Sequence, residues 1–165
     1  MYIMTKMCFK GGIKMAYDST VDAKNHIEKI QKVFNDLIIP ELKKRSENHD
    51  KSKLESPEKD AYDQMIPELK ATEYGSKEYN EVKKKYEEGG FGHHIKNNSH
   101  HPEHYENGIN DMDLFDIVEM FADHYAASLN SDTGYPKGLE LNKKRFNMSD
   151  NLYNIYLNTY NRYLK

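Results

Sequence analysis

Wherever apolar residues recur in this 165-residue chain, they recur three and four positions apart. Leu114, Ile117, Val118, Phe121 and Tyr125 form the clearest stripe. Ile27, Ile30, Val33, Phe34, Leu37 and Ile38 form a second, and Leu152, Ile155, Tyr156, Thr159, Tyr160 and Tyr163 a third. Such spacing marks one face of an α-helix, and no segment shows the period-two alternation of a half-buried strand. The chain is therefore read as all-α, with about six to seven helices. A first helix is expected from Val21 to Ser46, kinked near Ile39 because Pro40 lacks an N–H. Further helices are expected over Pro57–Lys70, Ser76–Glu88, Phe91–Ser99, Leu114–Leu129 (capped by Asp111 or Asp113) and Ser149–Leu164. The stripe on the Leu114–Leu129 helix is read as its buried face.

Only 37% of the residues are hydrophobic, so the 13 tyrosines must supply much of the core. Each Tyr buries a ring while its hydroxyl seeks a partner. A formal charge of −3 gives no electrostatic footprint for duplex nucleic acid. No apolar run reaches the length of a membrane span. The single cysteine, Cys8, excludes an internal disulfide and a thiolate zinc site within one chain. A cytoplasmic protein is expected, able to act as a homodimer. Residues 1–14 are read as a disordered or non-native extension. Lys10-Gly11-Gly12 looks like a purine-rich ribosome-binding site translated in frame, which would make Met15 the natural start. Residues 15–165 are read as one domain.

Histidine is the informative residue type. Five of the eight, His93, His94, His100, His101 and His104, fall within twelve positions, and His26, His49 and His124 complete the set. Imidazole is a common ligand for zinc, iron, nickel and copper, and carboxylates extend such sites toward manganese. His26 lies four residues before Ile30, near the apolar stripe. Asp123 sits beside Phe121 and Ala122, where an unpartnered carboxylate would be costly. Asp116 and Glu119 share its helical face and are rivals for its role, or supports for it.

In chain order these residues run His26, His49-Asp50, His94, His100-His101, Asp123. This order resembles that of the HD-domain superfamily, a helical fold named for its adjacent His-Asp pair. The segment His49-Asp50-Lys51-Ser52-Lys53 is similar to the His-Asp-x-Gly-Lys signature of several subfamilies, with Ser52 where Gly is usual. The stretch His94-x-x-x-Asn98-x-His100-His101-Pro102-Glu103, followed by Glu119-Met120-x-x-Asp123, is similar to a small family of phage and bacterial genomes whose function is not known. The likeness covers roughly Asp22 to Ala127. It implies an HD-like helical bundle in which His26, His49, Asp50 and Asp123 hold one ion. Asp50 would bridge to a second ion held by His94 and by His101 or His100. The ions would be divalent iron, manganese, zinc, cobalt or nickel, one or two in number. Asp50 and Asp123 would orient or deprotonate water, and Lys53 would hold phosphate. Glu58, Asn98 and His104 are candidate substrate contacts. The activity implied is hydrolysis of a nucleotide or another small phosphoester. Two alternatives share the ligand order: a di-iron oxygenase, and a metal-stabilised protein that sequesters a nucleotide without turnover.

Overall fold

A computed structural model describes residues 17–131 and 133–165, so the expectations for residues 1–14 and for Met15 lie outside the described residues. Eight α-helices and several 3₁₀ turns make up the described chain, and no strand occurs among the described residues. The chain divides into two compact units, one ending at Ile39 and the other beginning at Pro40.

The first unit contains α1 (Thr20–Val33) and a π-turn over Phe34–Ile38. The expected interruption near Pro40 takes this form. A proline ring collides with the carbonyl four residues back, and a π-turn widens the helix where that clash would fall. The Ile39 N–H accordingly bonds to the Phe34 carbonyl. Within this unit no residue of α1 is buried, His26 included.

The second unit runs through α2 (Ile39–Asn48), α3 (Glu58–Lys70), α4 (Lys77–Lys85), α5 (Gly90–Asn97), α6 (Leu114–Leu129), α7 (Tyr135–Arg145) and α8 (Asp150–Tyr163). Its apolar core lies where α6, α7 and α8 meet, around Met120, Tyr135, Leu139, Met148 and Tyr156. Tyrosine supplies this core as composition requires. The Tyr156 hydroxyl is satisfied by the Ile117 carbonyl at 2.5 Å. Two helix starts are capped by the serine before them: Ser76 accepts from Tyr79 N, and Ser149 from Leu152 N. Asp113, rather than Asp111, caps α6 in a reciprocal capping box with Asp116.

The α6 face is turned from the one expected. Ile117, Phe121 and Tyr125 pack on the core, but Leu114 and Val118 are exposed, and Asp116 and Met120 are the fully buried residues. The helix must serve two neighbours at once. Its apolar side meets α7 and α8, and Asp116, Glu119 and Asp123 face a polar cluster instead of water.

Candidate metal centre

The end of α2 presents His49 and Asp50 together. Asp50 adopts a left-handed conformation with φ 55°. Gly or Asn usually fills such a position after a helix, because a Cβ is strained there. Aspartate adopts it less often, and here the turn brings the Asp50 carboxylate into the cluster. The turn Lys51–Leu54 then carries Ser52 and Lys53 past the cluster.

Helix α5 brings His94. Its N-terminus presses against the start of α3 at Gly90, where a Cβ would stand 2.4 Å from Ala61 Cβ and 2.8 Å from the Pro57 carbonyl. Only glycine permits that approach, and it sets His94 against Glu58. Both residues are wholly buried. His94 Nδ1 donates to Glu58 Oε2 at 2.9 Å, which leaves the Nε2 lone pair facing inward. Glu58 also takes His93 Nδ1 on Oε1 at 2.7 Å and the Ser52 hydroxyl on Oε2 at 2.7 Å. Glu58 is therefore not placed to touch a substrate, as had been expected. It orients His94 from behind. Ser52, the departure from the glycine of the signature, also accepts from Asn98 Nδ2 at 3.2 Å and so locks turn and helix together.

Three overlapping groups of side chains have ligand atoms close enough to share an ion. Asp50, His94, His100 and His101 form one, His49, Asp50 and Asp123 a second, and His49, His100 and Glu119 a third. Asp50 belongs to the first two. Both His100 and His101 join the first, so the choice between them is not forced. His94 Nε2 stands 2.9 Å from His101 Nε2 and 3.3 Å from Asp50 Oδ1. Two nitrogens bound to one ion at about 2.1 Å sit roughly 3 Å apart, so this spacing fits common coordination. Asp50 Oδ1 and His100 Nε2 are buried without a hydrogen-bond partner among the described residues. Buried polar atoms are rarely left so, and a cation would satisfy both. The donor set is nitrogen and oxygen only, which suits zinc, iron or manganese.

Glu119 organises the other side. Its Oε1 lies 2.9 Å from His49 Nδ1 and 3.3 Å from His100 Nδ1, so one carboxylate aims two imidazoles by their far nitrogens. Arg45 holds Glu119 Oε2 at 3.1 Å and the buried Asp116 at 2.7 Å. Neither Arg45 nor the double contact of Glu119 was anticipated. The signal was in the spacing: Arg45 precedes His49 by four residues, and Glu119 precedes Asp123 by four, each pair on one helical face.

His26 is exposed on α1 and belongs to none of the three groups. Asn98 lies against Ser52 beside the first group, and His104 is exposed with Nδ1 bonded to the Ile95 carbonyl at 3.0 Å. Lys53 Nζ pairs with Asp50 Oδ2 at 2.5 Å, at the edge of the cluster.

The titration behaviour agrees with a ligand set. Burial, and then the Lys53 charge, lowers the His94 pKa, which keeps its ring neutral. Burial, followed by His100 and His94, presses His101 well down. Despite opposing burial, the His49 contact holds Asp123 below the usual carboxylate range. His49 is the exception. Its contact with Asp123 at 3.6 Å and then its hydrogen bond to Glu119 raise its pKa from 6.5 to about 10. An imidazolium thus occupies the carboxylate side of the cluster at neutral pH when no ion is bound. In the metal-free protein its contribution to stability is complete below the unfolded value and fades as the pH rises toward 10. A divalent ion needs the neutral ring. Titrating metal-free protein at pH 7.5, in buffers of differing ionisation enthalpy, should therefore show release of about one proton from His49 per cluster filled. Heats that do not depend on the buffer would refute this.

The fold and the site together define an all-helical protein with a partly buried histidine–carboxylate cluster at a helix end. The chain belongs to a family of unknown function (DUF5662), whose model matches residues 15–162. No curated protein and no solved structure matches the chain. No helix of the described residues is long and apolar enough to cross a membrane.

Proposed function

We propose that the cluster binds one or two divalent transition-metal ions and hydrolyses a phosphoester of a nucleotide or similar small molecule. The observation that carries the reading is Asp50, which is shared by two ligand groups and has a buried oxygen with no hydrogen-bond partner. His49, Asp50 and Asp123 would hold one ion, and Asp50 with His94, His100 and His101 the other. A bound divalent ion supplies Lewis acidity, which brings the pKa of water toward neutrality and offsets charge on phosphoryl oxygens. Asp123 lines a hollow of about 390 Å³, where it can orient a water molecule. Leu42, Val118, Ala122 and Ala126 line the same hollow and offer an apolar wall to a base or sugar. Lys53 exchanges Asp50 for a substrate phosphate, a role that suits its compact ammonium.

The test is phosphate release from a panel of nucleotides and small phosphoesters. The protein is loaded in turn with manganese, iron(II), cobalt, nickel and zinc. At least one ion and ester should give turnover that a chelator stops and Asp50→Ala lacks. Failure of every ion across the panel overturns the proposal, and oxygen consumption by the iron form alone would point to an oxygenase.

A further inference from the structure

Away from the cluster, α4, α5, the end of α7 and the turn at Glu103 border an open cavity of about 440 Å³. Lys83, Lys84, Lys96 and Arg145 line it, against two carboxylates, Glu87 and Glu103. Arg145 and Glu103 are bonded to each other. The remaining balance is positive, and Lys83 is the residue that gives it direction. Its side chain is half-buried, and it pairs with no carboxylate among the described residues. Its ammonium lies over the face of Phe91, 4.4 Å from the ring centroid. Glu87, four residues on, lines the same cavity but forms no ion pair with Lys83.

The cavity and the metal centre use different faces of α5. Phe91, Gly92, Ile95 and Lys96 turn toward the cavity, while His94 turns toward Asp50 and Glu58. No residue lining the cavity belongs to the three ligand groups.

We propose that this cavity is a second binding site, which takes a phosphate group with the Lys83 ammonium as its central donor. The phosphate is either inorganic or carried by a small phosphorylated molecule. A half-buried ammonium in no ion pair, with the nearby Glu103 already bonded to Arg145, is an arrangement that an oxyanion improves. Lysine binds phosphate as a point charge, and the flanking Lys84, Lys96 and Arg145 add to the field. The volume falls in the range of small-molecule sites, so a nucleoside monophosphate would fit as well as the free anion. The state of Lys83 agrees: burial, and then the neighbouring Arg145, lowers its pKa to about 8. Glu103 opposes that shift and Lys53 adds to it.

The test is calorimetric titration of the full-length protein as purified, with inorganic phosphate and separately with adenosine monophosphate. Wild type, Lys83→Met, Lys83→Arg and Asp50→Ala are compared, with melting temperatures as the folding control. Saturable binding is expected in wild type and in Asp50→Ala. A loss of about tenfold or more is expected in Lys83→Met, with affinity largely kept in Lys83→Arg. Phosphate should also slow acetylation of Lys83, read by peptide mass spectrometry, without slowing that of the exposed Lys77. Tighter binding of adenosine monophosphate than of phosphate identifies a phosphoester ligand; equal binding identifies the free anion. Binding that survives Lys83→Met, or that disappears in Asp50→Ala, assigns the anion to the metal cluster and overturns the proposal. Absence of saturation at millimolar phosphate and nucleotide overturns it as well.

Discussion

With two ions bound as proposed, Asp50→Ala is expected to lose both, whereas His94→Ala and Asp123→Ala should each lose one. The pattern follows from membership. Asp50 supplies an oxygen to both the His94–His100–His101 group and the His49–Asp123 group, whereas His94 and Asp123 each serve one; His49 and His100 also join Glu119 in the third group. Elemental analysis of the reconstituted proteins reads the stoichiometry directly. Thermal unfolding gives an independent measure. An ion present at about a hundred times its dissociation constant stabilises the folded state by about 2.7 kcal/mol. For a chain of this length that raises the melting temperature by roughly 5–10 °C. Wild type should show this rise on adding metal, and Asp50→Ala should show none. Because Asp50 is left-handed, alanine there also brings backbone strain. Asp50→Asn controls for it, since asparagine tolerates that conformation but carries no charge to divide between two cations. A full complement of metal in Asp50→Ala would remove the shared carboxylate from the account.

Asp50 was legible in the sequence because its signal is local. An adjacent His-Asp pair follows a helical stretch, with a lysine three residues on. Most helices were legible for a similar reason, their starts at Ser76, Asp113 and Ser149 being set within one turn of the chain; α7 was not, because Gly134, Pro136 and Gly138 read as a loop. The tyrosine-rich core followed from the scarcity of other large apolar residues.

What the sequence hid are the contacts made across the fold by charged side chains. Glu58 looked like a pocket residue because it follows the signature lysine closely. Its burial depends on Gly90 letting α5 approach α3, a steric fact that no periodicity records. The buried face of α6 was misjudged because hydrophobicity alone was used to find it. Leu114 and Val118 are exposed while the charged Asp116 is inside. A helix can bury an acid in place of a leucine when a cation waits on a neighbouring element. Here that cation is Arg45, 71 positions earlier.

Arg45→Met should accordingly be among the most damaging substitutions outside the ligand set. The guanidinium is mostly buried and bonds Asp116 at 2.7 Å and Glu119 at 3.1 Å. Methionine keeps much of the stem's packing and removes the charge. Asp116 is 1% exposed and would keep only neutral donors: Ser99 Oγ at 2.6 Å, the Tyr105 hydroxyl at 2.5 Å and Asp113 N at 3.1 Å. Removing one partner of a buried ion pair costs about 3 kcal/mol or more, and the surviving donors put this case at the lower end. Urea unfolding at pH 7 reads the loss, and Asp116→Asn in the variant should restore part of it by discharging the stranded acid. Acidity supplies a second check. Although burial opposes it, bonds from Ser99, Tyr105 and Arg45 hold Asp116 below the usual carboxylate range. Glu119 is held low against burial by His100, His49 and Arg45. Their contribution is therefore complete above the unfolded carboxylate pKa of about 4 and lost as the pH falls through the native values. The gap in stability between wild type and Arg45→Met should narrow as the pH falls below about 4, because protonation removes the charges that Arg45 compensates. The same variant releases Glu119, which aims His49 and His100. Metal affinity should therefore fall about 10- to 100-fold, although Arg45 touches no ion. A stable Arg45→Met with wild-type affinity would mean that Glu119 and its two imidazoles hold their geometry unaided.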